Sequence, residues 1–323
     1  MELETFLTTF HVVIDDLYKE HVLPKMPSRG GPPARLSDSE APCLGPAAQW
    51  RVGVPWRGER GFVRYACKHL RHPFPGMASQ TPFNRRLWGA FILIGQAVAQ
   101  HAPTEECEMI DCVPVPIARG ARSFHPGWLS DIARRGKGGN DGFFHGLRLL
   151  LAVSARGLIT GWTMASGNVQ DRRLAELLLS SRAAMPQLVD PTQAEGMPRL
   201  APPQEWVGPV QSCGTDQERL IVADLGSGGD DWHGRWQDDY GATELTTPEC
   251  DRRFARRWFS TIRQAIETAF ANLCGSFGLH SPQAHTRWEL LARVAARMAA
   301  YNVGILLNRL SGRPDLAIPT LIC

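Results

Sequence analysis

The apolar positions in the first hundred residues fall at helical spacing. Phe6, Phe10, Val13 and Leu17 recur every three or four residues, which predicts an amphipathic helix at the start of the chain. Ser37 to Glu40 forms an S-x-x-E capping signal for a second segment. Further helices are predicted over 57–71 and over 82–100, the latter with Phe83, Leu87, Phe91 and Ile94 inward. Loops rich in Pro and Gly, PSRGGPP and HPFPGM, separate these elements. Residues 1–105 therefore read as an all-helical domain of helix-turn-helix-like character.

The pattern changes near residue 106. EMIDCVPVPIA reads as a strand, and FFHGLRLLLAVSA and GLITGWTMAS read as two more, joined by a turn at Arg156-Gly157. LAELLLSSRAA is a short helix. A Pro/Gln/Gly-rich stretch over about 185–216 reads as a surface excursion. LIVADLG and ATELTTP supply the fourth and fifth strands, with a helical turn between them. Long helices follow over about 254–277 and 282–310, then a tail at 311–323. The expected fold of 106–310 is α/β, a mixed five-stranded sheet with flanking helices.

Composition changes this picture in one respect. The net charge of the 323 residues is only +3, but it is unevenly spread. From Arg51 to Arg86 there are eight Lys/Arg and one acid, Glu59, an excess of 8 − 1 = 7. Arg57, Arg60, Arg64, Lys68 and Arg71 step by three and four, one face of a helix, and Arg85 and Arg86 extend the group. A face of one sign suits phosphate better than it suits solvation alone. Arg119, Arg122, Arg134, Arg135 and Lys137 form a second group after the first strand. Arg252, Arg253, Arg256 and Arg257 form a third before the penultimate helix. Trp128, Trp232 and Trp236 are candidates to stack on a flipped or frayed base, with core or surface packing as the more ordinary reading.

Eight scattered Cys without a C-x-x-C pair read as reduced thiols of a cytosolic protein. The acidic, amphipathic start is a poor signal peptide. AFILIGQAVA and LRLLLAVSA are too short to span a bilayer. The expectation is a soluble, cytoplasmic, nucleoid-associated protein with no membrane partner. No P-loop, dinucleotide fingerprint or G-x-S-x-G elbow is present.

Three acids stand out by position. Asp111 lies within the apolar first strand, where a charge is costly unless compensated. Asp224 ends the fourth strand, where sites gather in open sheets. Glu267 lies one residue off the stripe Phe259, Ile262, Ile266, Phe270, Leu273 and Phe277, with Arg263 one turn before it. Taken singly, each has an ordinary reading: a strand acid satisfied by backbone N–H groups, a turn residue, and a surface partner of Arg263. Taken together, converging carboxylates persist when metal neutralises them. Hard oxygen donors suit Mg²⁺ or Mn²⁺, and two such ions roughly 4 Å apart serve in-line phosphoryl displacement.

These contexts carry a resemblance. I-D-C-V-P-V at 110–115, V-A-D-L-G at 222–226 and R-W-F-S-T-I-R-Q-A-I-E at 257–267 resemble the motifs of the DDE transposases of bacterial insertion sequences. R-V-A-A-R-M-A-A-Y-N at 293–302 resembles that family's C-terminal helix. The resemblance implies an RNase H-like catalytic core, with Asp111, Asp224 and Glu267 as ligands of Mg²⁺ or Mn²⁺. Arg263 would belong to the Arg-x-x-x-Glu core and orient Glu267 or a phosphate. It also implies binding of double-stranded DNA at terminal inverted repeats, strand cleavage, 3′-hydroxyl transfer into target DNA, and a homodimer on DNA. The family's Tyr before the Arg and Lys after the Glu are replaced here by Ser260 and Cys274. A metal-dependent nuclease on the same fold and a DNA-binding, inactive domesticated relative are the alternatives.

Overall fold

An apolar run without alternation belongs in a strand covered on both faces, and Leu149–Val153 is such a run. It lies in one central strand of a seven-stranded mixed sheet. In chain order the elements are α1 (Leu3–Leu17), α2 (Glu40–Gln49), α3 (Gly58–His69), β1 (Cys107–Arg119), β2 (Arg134–Gly138), β3 (Gly142–Ser154), β4 (Ile159–Ser166), α4 (Asp171–Leu188), β5 (Glu205–Val207), β6 (Arg219–Val222), α5 (Asp230–Tyr240), β7 (Ala242–Leu245), α6 (Arg253–Gly275) and α7 (Arg287–Leu310). A computed structural model describes residues 1–25, 40–71, 74, 107–119, 129–138, 142–188, 205–207, 219–223, 230–245 and 253–323. The chain divides into two compact units. One comprises Met1–His101 with Ala271–Cys323, and the other Ala102–Phe270.

The helical unit is built on aromatic packing. Phe6, Phe10 and Ile14 on α1 are buried, with Leu17 completing the stripe. Ile14, rather than the expected Val13, carries the third position, because steps of four, four and three keep the apolar line on one side. Trp50 is fully buried, its ring centroid 4.8 Å from Phe6 and 4.8 Å from Phe277 in edge-on geometry. Gly304 of α7 lies where a Cβ would come within 3.0 Å of the Trp50 ring, so the missing side chain lets the helix close on the indole. Residues Glu289–Leu310 of α7 are long and apolar enough to cross a membrane, a run longer than those singled out from the sequence, but 83% of that window is buried inside the protein. That is the signature of a core helix. The helix expected over 82–100 and the Ser37 capping position lie outside the described residues.

The sheet order is β5-β4-β3-β1-β6-β7, with β2 paired to the start of β3. β1, β3, β4 and β5 pair antiparallel, and β1, β6 and β7 pair parallel. Three antiparallel strands followed by two parallel ones make the RNase H-like arrangement. All five expected strands are present, and β2 and β5 are additional. The strand content of β2, Arg-Arg-Gly-Lys-Gly, shows no apolar alternation, and only its ladder to β3 defines it. The helical turn expected before β7 is an eleven-residue helix, α5, ended by Gly241 at φ 61°.

One face of the sheet offers small and apolar side chains, Ile110, Leu150, Ala152, Ala165, Ile221 and Ala242. They receive Leu174, Ala175 and Leu178 of α4 and Trp236 of α5. Two ion pairs fasten this layer. Arg182 of α4 reaches the buried Glu108 of β1 at 2.6 Å, and Arg235 of α5 reaches Glu176 of α4 at 3.1 Å.

Candidate active site

Asp111 sits in β1, the strand through which the antiparallel and parallel halves of the sheet meet. Its cross-strand partner on β3 is Leu151. Alternation along β1 places Ile110 and Cys112 under the α4 and α5 layer, and therefore Asp111 on the other face. There its strand neighbours Val113 and Val115 and the β3 residues Leu149 and Leu151 are buried. The carboxylate is half-buried, and its Oδ1 accepts the backbone N–H of Cys112 at 2.7 Å. The neighbouring Cys112 thiol is pushed up by burial and further by Asp171 and Asp111, against the pull of Arg148. It remains a neutral thiol, unsuited to nucleophilic or metal-binding work.

β6 runs parallel to β1, pairing Cys107 with Leu220, Glu108 with Ile221 and Met109 with Val222. The offset is constant: 222 − 109 = 113. Asp111 and Asp224 are separated by the same number, 224 − 111 = 113. The ladder to β7 continues through Ala223, whose N–H donates to the carbonyl of Leu245 at 3.1 Å. Asp224 itself lies outside the described residues.

Glu267 rides on α6, whose Phe259, Ile262, Ile266 and Ala269 are buried. One step off that stripe, its side chain is 59% exposed, and Arg263 donates to it through Nε at 3.0 Å. Among the described residues no three His, Cys, Asp or Glu side chains gather closely enough to hold an ion. The structure thus brings Arg263 and Glu267 together and sets Asp111 in the central strand.

The basic groups divide in the same way. Arg57, Arg60, Arg64, Lys68 and Arg71 are all exposed. Glu59, the single acid of that segment, turns inward to Arg293 of α7 and Gln49. In the second group Arg134, Arg135 and Lys137 are exposed on or beside β2. Arg134 Nη1 donates to the carbonyls of Ser130 and Ala133. Arg119 closes β1. Its side chain, those of Arg252, Arg253, Arg256 and Arg257, and all of Arg85, Arg86 and Arg122 lie outside what is described, as do Trp128 and the side chain of Trp232. Trp236, a stacking candidate from the sequence, is instead fully buried in the α4–α5 layer, so it serves packing.

Two residues beside β2 were not singled out from the sequence. Phe143 is half exposed, and the Arg135 guanidinium lies 4.0 Å from its ring centroid. Arg148 joins Asp171 at 2.6 Å and the carbonyl of Lys137 at 2.6 Å. A charged residue in the middle of the LRLLLAV strand was the available signal for Arg148. No comparable signal marked Phe143.

A mixed sheet of this order, with an aspartate in its central strand and an Arg-x-x-x-Glu helix, defines the class as an RNase H-like fold. The family model for the transposase DDE domain matches residues 118–303. The chain belongs to the DDE transposases. The match begins within β1, just past Asp111, and spans β2 through most of α7. Searches of curated proteins and of solved structures gave no match.

Proposed function

We propose that this transposase cuts and joins DNA, with Asp111, Asp224 and Glu267 as the ligands of Mg²⁺ or Mn²⁺, two ions in the working complex. One observation carries this reading: the β1–β6 register offset equals the spacing of the two aspartates. If the ladder continued past Met109 and Val222 in that register, equivalent residues would stand on neighbouring strands, about 4.8 Å apart. Two carboxylates at that distance repel unless a cation lies between them. Asp111, anchored by the Cys112 N–H, presents hard oxygen to such a cation. When bound, the ions supply charge neutralisation and activation of water or a 3′-hydroxyl. Glu267 would complete the ligand set, with Arg263 holding its carboxylate until it turns to the metal. The exposed cations of α3 would grip phosphates of the terminal inverted repeats, and Arg134, Arg135 and Lys137 the flanking strand. Joining two element ends calls for a homodimer on DNA, acting on the nucleoid in the cytoplasm.

The test is cleavage and strand transfer on end-labelled repeat DNA with Mg²⁺ or Mn²⁺, comparing the wild type with Asp111→Asn. The variant is expected to bind DNA as before and to cut none; undiminished cleavage overturns the ligand assignment. The Arg263–Glu267 pair, a good surface ion pair as it stands, favours a second reading in which the chain binds DNA without cutting. In that case neither protein cleaves. A metal-dependent nuclease would cut and never join.

A further inference from the structure

A recess of ≈ 420 Å³ opens between the edge strand β2 and the turn from Gly167 to Gln170 that leads into α4. Its size is in the range of small-molecule sites. Three cationic residues line it: Arg135, Lys137 and Arg148. Among the described residues no carboxylate pairs with Lys137, whereas Arg148 is committed to Asp171 and to the Lys137 carbonyl. Arg148 therefore acts as a brace that fixes the wall, and Lys137 offers charge to a ligand.

Beside Lys137 and Arg135 the lining is aromatic. Phe143 pairs across the hairpin with Lys137 and exposes half of its surface, with the Arg135 guanidinium over its ring. An exposed ring capped by a guanidinium is a stacking platform for a planar base. The exposed amides of Asn168 and Gln170 stand at the rim with donors and acceptors for a base edge. Backbone approaches closely at the floor. A Cβ on Gly136 would lie within 2.8 Å of Phe144 and against the Gly167 backbone, so only glycine leaves the hairpin and turn in contact. Duplex DNA has no need of such a concavity, since its bases are stacked inside and its phosphates meet a flat cationic surface equally well.

We propose that this recess takes one unpaired nucleotide of the bound DNA, its base against Phe143 and Arg135 and its phosphate on Lys137. The inference rests on the DNA-cutting reading and deepens it. Phe143 alternates onto the sheet face of Leu151, the partner of Asp111, eight residues along β3. That is about 26 Å at strand rise, or roughly eight nucleotides of helical DNA at 3.4 Å. The recess would hold single-stranded flank well away from the scissile phosphate.

The experiment is fluorescence anisotropy of the full chain in EDTA, with a labelled oligothymidylate and a labelled duplex of equal length. Phe143→Ala is expected to weaken oligothymidylate binding about tenfold, the scale of one lost base stack, and to leave duplex binding within about twofold. Phe143→Leu keeps the apolar bulk and is expected to lose the same preference, so it stands in if the alanine variant fails to fold. Equal losses on both DNAs, or no loss on either, overturn the recess while the transposase reading stands. A wild type that binds neither DNA overturns both.

Discussion

Arg293 of α7 embraces Glu59 of α3 with two donors, Nε to Oε1 at 3.0 Å and Nη2 to Oε2 at 2.9 Å. Both side chains are 11% exposed. A planar fork on a carboxylate is the strong form of an ion pair. Its position matters as much as its strength, because it draws the one acid of the Arg51–Arg86 segment into the protein. What remains outward on α3 is a face of one sign. Glu59→Gln would leave Arg293 facing inward without its main counter-charge, although Glu289 at 2.7 Å compensates in part. The expected cost is about 3 kcal/mol, read as a lower urea midpoint. DNA affinity of the folded fraction should not change.

Arg297 lies close by, 2% exposed, and its Nε and Nη1 have no hydrogen-bond partner among the described residues. Burial, with Arg51 adding to it, brings the guanidinium well below its ordinary value, to about 9, against an upward pull from Glu59. Between about 9 and the ordinary arginine value the unfolded chain keeps the proton that the folded chain has released, so folding gains stability as pH rises through that window. Below it the full cost of burying the charge is present. Arg297→Met, similar in length and neutral, is expected to be more stable than the wild type by roughly 2 kcal/mol at pH 7. The gap should narrow above pH 9. Urea unfolding of both proteins at pH 7 and pH 10 checks this; a variant less stable at both values rules it out.

The elements that could be read from the chain are those whose own side chains carry the period. β1, β3 and β4 announce themselves through apolar runs, and α6 through Phe259, Ile262 and Ile266. The same stripe puts Glu267 one step off the buried line, where its side chain is 59% exposed. Elements defined by their neighbours were hidden. β2 exists because Arg135 and Lys137 find His145 and Phe143 across a hairpin, and nothing in Arg-Arg-Gly-Lys-Gly favours a strand. Phe143 as a platform was invisible for the same reason, since its partner Arg135 is brought over the ring only by that hairpin. For Trp236 the polar surroundings, DDWHGRWQDDY, left packing and base stacking both open, and its position in α5 places the indole in the core. The sequence spacing of Asp111 and Asp224 was present as a number, and only the pairing of β1 with β6 supplies an equal register offset to set beside it.

Trp236 shows what that burial contributes. It is fully enclosed among Leu174, Ala175 and the alanines of the sheet, so truncation opens a large void. Trp236→Ala is expected to destabilise the sheet-bearing unit by about 4 kcal/mol, seen as a lower melting temperature. If it served as a base-stacking residue instead, the variant would keep its stability and lose DNA affinity.

The cationic face of α3 makes a prediction about salt. Arg60, Arg64 and Lys68 are exposed and stand on one side of the helix. If each neutralises one phosphate of duplex DNA, each removes about 0.9 from the slope of log affinity against log salt. The triple alanine variant should lower the slope by about 2.7 on that basis, equally for repeat and unrelated DNA, because phosphate carries no sequence. A slope equal to the wild type's would assign this face to solvation alone.

Glu267 separates structure from chemistry most cleanly. Its pair with Arg263 is a one-turn contact between side chains 59% and 47% exposed, and such pairs contribute about 0.3–0.5 kcal/mol. Glu267→Gln keeps the length, the polarity and one acceptor toward Arg263. Its melting temperature should therefore stay within about 2 °C of the wild type. A metal-binding role demands the negative charge, and losing several kcal/mol of charge stabilisation in the transition state would slow cleavage by about three orders of magnitude. Arg263→Ala, which frees the carboxylate without removing it, should cost less. Normal folding with lost cleavage in Glu267→Gln, and partial cleavage in Arg263→Ala, would fit a carboxylate held by arginine and claimed by metal. Normal cleavage in Glu267→Gln would leave the pair as a helix surface contact and move the third ligand elsewhere.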